Sequence, residues 1–254
     1  MDAAPTRDWA FDGATGEGVR VALVDSGVDE SHAAVAGPFA PGVSMSWDRD
    51  EDRISIMDGP HEDLFGHGTA CAGVIRAIAP LCEITSVRVL GPRASGKGEV
   101  FAAGLRWAIR SGARVVNLSL STAKPELFAL FHEIADEAHH AGVVLVGAMN
   151  NVPAPTYPAE YASVISVAAT EKSEDPLPLL CGASPPADFG APGIDVEVAW
   201  TNGTSMIMTG NSFAAPYVTG LVALLLSKHP HLRPYEVKSV LRAVAGNARA
   251  TAAP

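Results

Sequence analysis

Cysteine is scarce in this chain of 254 residues, which holds only Cys71, Cys82 and Cys181. An odd number without framework spacing leaves at least one free thiol, and no CxxC or Cys/His pair has the spacing of a zinc finger. This favours a reducing compartment. Positive charge is also in deficit: 18 Lys and Arg against 28 Asp and Glu give a net charge of −10. Phosphate neutralisation needs clustered cations, so a nucleic-acid partner is not expected. Long apolar runs are missing. The longest near the C-terminus, Leu221 to Leu226, is far short of the roughly 18 residues that span a bilayer, so no membrane partner is expected either. The opening MDAAPTRDWAFDGATGEG lacks the positive start and apolar stretch of a secretory leader. A cytoplasmic location is the expectation; a secreted chain is the alternative if a leader and pro-segment have been removed.

Hydrophobic residues make up 48% and charged residues 18%, ample for one large core and incompatible with disorder of the whole chain. Short β-branched runs (Val19–Val24, Ile84–Leu90, Arg114–Leu120, Gly142–Gly147, Val164–Ala168) alternate with helical patterns (Thr69–Ala79, Glu99–Ser111, Leu127–Ala141, Phe213–Lys228, Tyr235–Ala245). Such alternation predicts an α/β fold with a mostly parallel sheet covered by helices on both faces. Gly37–Asp63, with its DRDEDR cluster, and proline-rich Lys172–Trp200 read as long loops. One domain over residues 1–254 is expected, with 1–15 as an N-terminal extension and 247–254 as a flexible tail.

Parallel sheets bind ligands at the carboxyl ends of their strands, and Asp25 ends the run VRVALV. His67 lies in FGHGTACAGVI, where flanking glycines let the backbone turn into a helix. Ser212 lies in TGNSFAAPYVTGLVALLL, at the start of the most apolar helix. A hydroxyl, an imidazole to take its proton and a carboxylate to hold the imidazole are the parts that serine attack on a peptide bond requires. A helix N-terminus, with unpaired N–H groups, suits a forming oxyanion. Singly, Asp-Ser-Gly is an ordinary turn and Gly-His-Gly an ordinary helix start; the three in order are far more specific.

These motifs resemble those of the subtilisin-type serine proteases. VALVDSGVDESH is similar to the family's aspartate motif, GHGTACAG to its histidine motif, and GNSFAAPYVTG to its serine motif, usually GTSMAAPHVAG. TGEGVRVALVDSGVD, RVL, ARVVNLSLS, YPAEYASVISVAAT, FGAPG and RPYEVKSVLRAVA follow in family order, so the resemblance covers almost the whole chain. It implies a three-layer subtilisin-like fold and a triad of Asp25, His67 and Ser212. NGTSM at 202–206 is closer to the serine signature than GNSFAAP, but a β-like IMTG follows Ser205 rather than a helix. The family's oxyanion asparagine follows Ala-Ala-Gly; here the strand leads into GAMNN. Counting without gaps assigns Asn151 that role and puts Asn150, a close rival, where the family has a pocket-lining glycine.

The resemblance further implies that Ser119 and Leu120, with Ser121 replacing a glycine, flank an extended substrate. The turn Ala94–Gly98, including Gly96 and Gly98, would form the opposite edge, joined by β-augmentation; Lys97 there either favours acidic substrate side chains or is simply solvated. No metal and no cofactor are expected. The helix after the histidine runs on without the Asn-rich calcium loop of many subtilisins, Asp48–Asp52 reads as a solvated acidic loop, and HEIAD lacks the second histidine of HExxH. Cys71 falls where the proteinase K branch also has a cysteine, beneath the imidazole.

The expected function is thus a serine endopeptidase acting on a peptide or protein precursor, with an intracellular processing role. A peptide-binding pseudoprotease and a transpeptidase or macrocyclase of the same fold are the alternatives. An α/β-hydrolase would need GxSxG, and a dinucleotide fold GxGxxG between strand and helix; the chain offers neither. Oligomeric state and cleavage preference are not legible.

Overall fold

The structure, a computed structural model, describes residues 5–248. Strands β1 (Arg20–Asp25), β2 (Phe39–Asp48), β3 (Arg53–Asp58), β4 (Glu83–Arg88), β5 (Val115–Leu118), β6 (Val144–Ala148), β7 (Ile165–Thr170), β8 (Leu180–Cys181) and β9 (Phe189–Pro192) form one sheet in the order β3-β2-β4-β1-β5-β6-β7-β9-β8. The seven strands from β2 to β9 pair in parallel, while β3 and β8 add antiparallel edges. A separate antiparallel hairpin joins β10 (Val196–Trp200) and β11 (Thr204–Met208). This is the α/β sheet read from the strand–helix alternation.

Central strands are apolar on both faces because helices cover both. In β1, Val21 and Leu23 enter one core and Ala22 and Val24 the other. The first core is capped by α1 (Arg7–Phe11), α2 (His67–Ile78), α5 (Asn211–Lys228) and α6 (Pro234–Val244); the second by α3 (Gly98–Arg110) and α4 (Phe128–His140). Helix α5 is buried at every residue from Phe213 to Leu226, as a helix that is apolar all round must be. No helix among the described residues is long and apolar enough to cross a membrane.

Both stretches read as loops contain strands. Gly37–Asp63 holds the β2–β3 hairpin, and DRDEDR is its turn, where Asp48 Oδ1 accepts the amides of Asp50 and Glu51 at 3.0 and 3.1 Å. Ile56 and Met57 on β3 remain exposed, so this edge strand lacks the burial alternation that marks a strand in sequence. Lys172–Trp200 holds β8, β9 and β10, pieces of two to five residues cut by Gly and Pro.

The stretch expected as an N-terminal extension carries α1, capped by Thr6 Oγ1 accepting from Trp9 N at 3.1 Å and docked by buried Ala10 and Phe11. Arg7 donates to both oxygens of Asp175 at 2.6 and 2.8 Å and to the Val244 carbonyl. At the other terminus Asn247 exchanges two hydrogen bonds with the Cys181 main chain. The rest of the expected tail, from residue 249, lies outside the described residues.

Asp188 fastens α6 to the sheet. Its carboxylate pairs with Lys238 at 2.7 Å and Arg242 at 2.9 Å and accepts from the amide and hydroxyl of Ser166 on β7. Burial alone would push its carboxyl up, but the Lys238 and Ser166 hydrogen bonds outweigh that and hold it below the usual carboxylate value. A depressed folded value stabilises the fold above the unfolded pKa of about 3.9, and this contribution is lost as pH falls through the folded value. In urea unfolding followed against pH, Asp188→Asn should be less stable than wild type at neutral pH, the gap closing in acid.

Candidate active site

Strands β1, β5 and β6 run parallel, so their carboxyl ends open on one rim. Asp25, at the end of β1, is fully buried. One oxygen accepts from the Ser26 amide at 2.8 Å, and His67 Nδ1–H donates to the two oxygens at 2.8 and 3.0 Å. His67 is the first residue of α2. The helix start can approach β1 because the next residue is glycine: a Cβ at Gly68 would lie 2.0 Å from the Gly27 carbonyl oxygen and 3.2 Å from the Asp25 Cβ. Burial alone would lower the pKa of His67, but the Asp25 carboxylate outweighs it and holds the imidazole well above its ordinary 6.5.

A second carboxylate, missed in the sequence, locks this junction. Asp63 Oδ1 accepts from the Ser26 hydroxyl and from the Phe65 and Gly66 amides; Oδ2 accepts from the amide and hydroxyl of Thr69. The Ser26 hydroxyl in turn accepts from Gly68 N at 3.0 Å. Burial would raise the Asp63 carboxyl, yet these donors together hold it low. The residue therefore caps α2 and ties it to the strand that carries Asp25. An Asp two residues ahead of FGHGT was the only available signal.

Ser212 stands in the first turn of α5. Its carbonyl would ordinarily accept from the amide of residue 216, but residue 216 is proline, which has none. The freed oxygen accepts instead from Ser119 Oγ at 2.8 Å and from Cys71 Sγ at 3.5 Å. Ser119 is itself held by Asn117 Nδ2 at 2.9 Å, and Asn117 Oδ1 accepts from Thr219 Oγ1 at 2.8 Å. This buried relay joins β5 to α5. Cys71 Sγ is also 3.9 Å from His67 Nδ1, so the histidine and serine motifs meet on one thiol. Burial raises the pKa of that thiol despite the neighbouring imidazole.

The two asparagines after β6 are used differently. Asn151 Oδ1 accepts from the Asn211 amide at 2.9 Å. That fixes which end of the side chain is anchored and leaves its NH₂ on the Ser212 side: Asn151 Nδ2 and Ser212 Oγ lie 3.5 and 3.3 Å from the point a Cβ on Gly210 would occupy. Asn150 spends its amide locally, Oδ1 accepting from Ser121 Oγ at 3.1 Å and Nδ2 donating to the Pro155 carbonyl at 2.9 Å. Asn211 secures the whole turn, since its Nδ2 donates to the Met149 and Asn150 carbonyls and its Oδ1 accepts from Ala169 N.

Of the expected substrate edges, Ser119, Leu120 and Ser121 lie just past the last ladder pair of β5, Leu118 with Gly147, beside Ser212. The Ser119 side chain is committed to the Ser212 carbonyl, which leaves its main chain for the expected pairing with substrate. Gly96 lies in the turn after β4, where a Cβ would come 2.6 Å from the Val89 carbonyl oxygen, and Gly98 opens α3. Lys97 is not merely solvated: its Nζ sits 3.4 Å from the centre of the Trp47 ring. Ser205 is exposed on β11, its hydroxyl donated to Glu197 at 2.7 Å. Asp25, His67 and Cys71 bring three ligand atoms within 4.8 Å of one another, but the short Asp25–His67 hydrogen bond uses the atoms a cation would need.

Comparison with known proteins places the chain in a family. The model of the subtilase family matches residues 16–253. The chain is 32% identical over 245 residues to Subtilisin Savinase of Lederbergia lenta, covering 91% of this chain and 84% of that protein. It is equally identical to M-protease of Shouchella clausii (strain KSM-K16), of which it spans 60%. The crystal structure of a cold adapted subtilisin-like serine proteinase superposes with a TM-score of 0.71 at 26% identity, over 89% of this chain and 82% of that one. The chain belongs to the subtilase family.

The relay to the Ser212 carbonyl is open to a direct check. Ser119→Ala leaves that buried oxygen with only the weak thiol donor, and should cost about 1–2 kcal/mol in denaturant unfolding. The loss should fall on kcat more than on KM, with Ser119→Thr recovering part of both.

Proposed function

We propose that the protein hydrolyses peptide bonds through an acyl-enzyme. Ser212 Oγ attacks, His67 is general base and then general acid, Asp25 holds its tautomer and stabilises the imidazolium, and Asn151 Nδ2 with the Ser212 amide receives the oxyanion. The observation that carries this reading is the fully buried Asp25 carboxylate bonded at 2.8 Å to an imidazole whose helix packs through Cys71 on the Ser212 turn. Anchoring of Asn151 Oδ1 by Asn211 supports Asn151 over Asn150, because only Asn151 has an uncommitted amide NH₂ beside the nucleophile.

The substrate is an extended polypeptide lying between residues 119–121 and the turn at 94–98. Beside Ser212, the hydrogen bond from Ser121 to Asn150 bridges the crevice between the ends of β5 and β6, leaving room for a small side chain at the residue whose carbonyl is attacked. A narrowed crevice suits limited processing of a precursor, and the three free cysteines support a reducing, cytoplasmic setting for it.

A fluorophosphonate probe should label wild type and the Ser205→Ala variant but not Ser212→Ala. Loss of labelling in Ser205→Ala alone would reverse the assignment, and cleavage-site profiling on a peptide library would remove the processing role if the profile were flat. The pH dependence follows from His67. The imidazole must be neutral to accept the serine proton, and Asp25 raises its pKa, so the acid limb of kcat/KM should lie above the reference value of about 6.5. In Asp25→Asn the limb should shift to lower pH as the rate collapses.

A further inference from the structure

One hollow on the rim carries a charge opposite to that of the molecule. It lies past the ends of β2 and β4 and holds about 540 Å³. Arg49, Arg88 and Lys97 line it together with Trp47, Leu64 and Gly96, and no carboxylate lines it. In a chain with 28 acidic and 18 basic residues, three cations converging without an acid is a marked local excess. None of the three makes an ion pair among the described residues. Two acids of the adjoining hairpin turn are engaged within it: Asp48 accepts from the amides of its own turn, and Glu51 pairs with Arg53.

Two of the three cations are also positioned. Lys97 Nζ rests on the face of Trp47, 3.4 Å from the ring centre, which keeps the ammonium over the hollow. Arg88 donates to the Glu62 carbonyl at 2.9 Å, a neutral acceptor that orients the guanidinium without cancelling its charge. Arg88 is the ladder partner of Asp25, and β2 lies one strand further out. At about 4.8 Å per strand and about 3.3 Å per extended residue, the hollow is some two to four peptide residues from the triad.

We propose that this hollow is a subsite for an acidic side chain, so that the preferred substrate carries Asp or Glu a few residues from the scissile bond. The inference rests on the endopeptidase reading above and specifies its substrate. Gly96 brings the turn's backbone against β4, so a peptide strand pairing with that turn would lay its side chain over Trp47 and between the cations. The long-range field of the molecule is negative, so recognition is local, and salt screens it.

Matched peptides differing only in Glu or Gln at each position around the cleaved bond provide the test. At one position about two to four residues from that bond, Glu should exceed Gln by about tenfold in kcat/KM at low salt, shrinking towards parity at high salt. Lys97→Glu and Arg49→Glu should each erase or invert the preference. The Glu-to-Gln ratio is taken within one preparation, so partial misfolding of a variant does not disturb it. Parity at every position in wild type, or an undiminished preference in both variants, overturns the subsite. If no peptide is cleaved and the probe leaves Ser212 unlabelled, the endopeptidase reading fails by itself. Fluorescence anisotropy with the same peptides on Ser212→Ala protein then decides the subsite: a tenfold affinity gap sustains it and equal affinities overturn it.

Discussion

A carboxylate with no exposure to water is costly unless every strong acceptor position finds a donor, and this molecule is organised around one such group. Asp25 is tolerated because the Ser26 amide and the His67 ring reach it, and the ring does so only while α2 starts against the end of β1. Removing the ring would leave the charge with the Ser26 amide alone. The sheet, the Asp63 cap and the glycine at the helix start are therefore conditions for the pair to exist, beyond serving as its scaffold. The raised pKa of His67 is the reverse side of the same interaction, since the carboxylate that is stabilised by the ring also stabilises the ring's proton.

The rest of the site is built by diverting main-chain and amide groups from their usual partners. Asn211 gives its side chain to three main-chain positions, one on β7 and two just past β6, and its own amide to Asn151. Each bond is worth on the order of 1 kcal/mol net, but together they fix the orientation of Asn151, which the proposed oxyanion role requires. The amide of Asn150, one residue earlier, is spent on closing a crevice. Adjacent identical side chains thus acquire different roles from their partners alone.

What could be read from sequence depended on how far apart the cooperating residues lie. The sheet was legible because VRVALV, ARVVNL and VVLVGA are covered on both faces, which makes them continuously apolar. The motifs around Asp25, His67 and Ser212 were legible because each is a local turn–helix or strand–turn signature. Asn117, Thr219 and Asn211 were not, since a polar residue inside a strand or helix gives no local sign of a partner a hundred positions away. The β2–β3 hairpin escaped for another reason: with β3 on the sheet edge and Ile56 and Met57 in solvent, no alternation of burial exists to be read. The stacking of Lys97 on Trp47 joins positions 50 apart, and only coordinates could reveal it.

Proline at position 216 means that the turn bearing Ser212 is not closed by the ladder of its own helix. Its missing link is supplied from outside, by a hydroxyl just past β5 and a thiol on α2. A chain whose sheet has not yet assembled would own the helix but not the aligned serine.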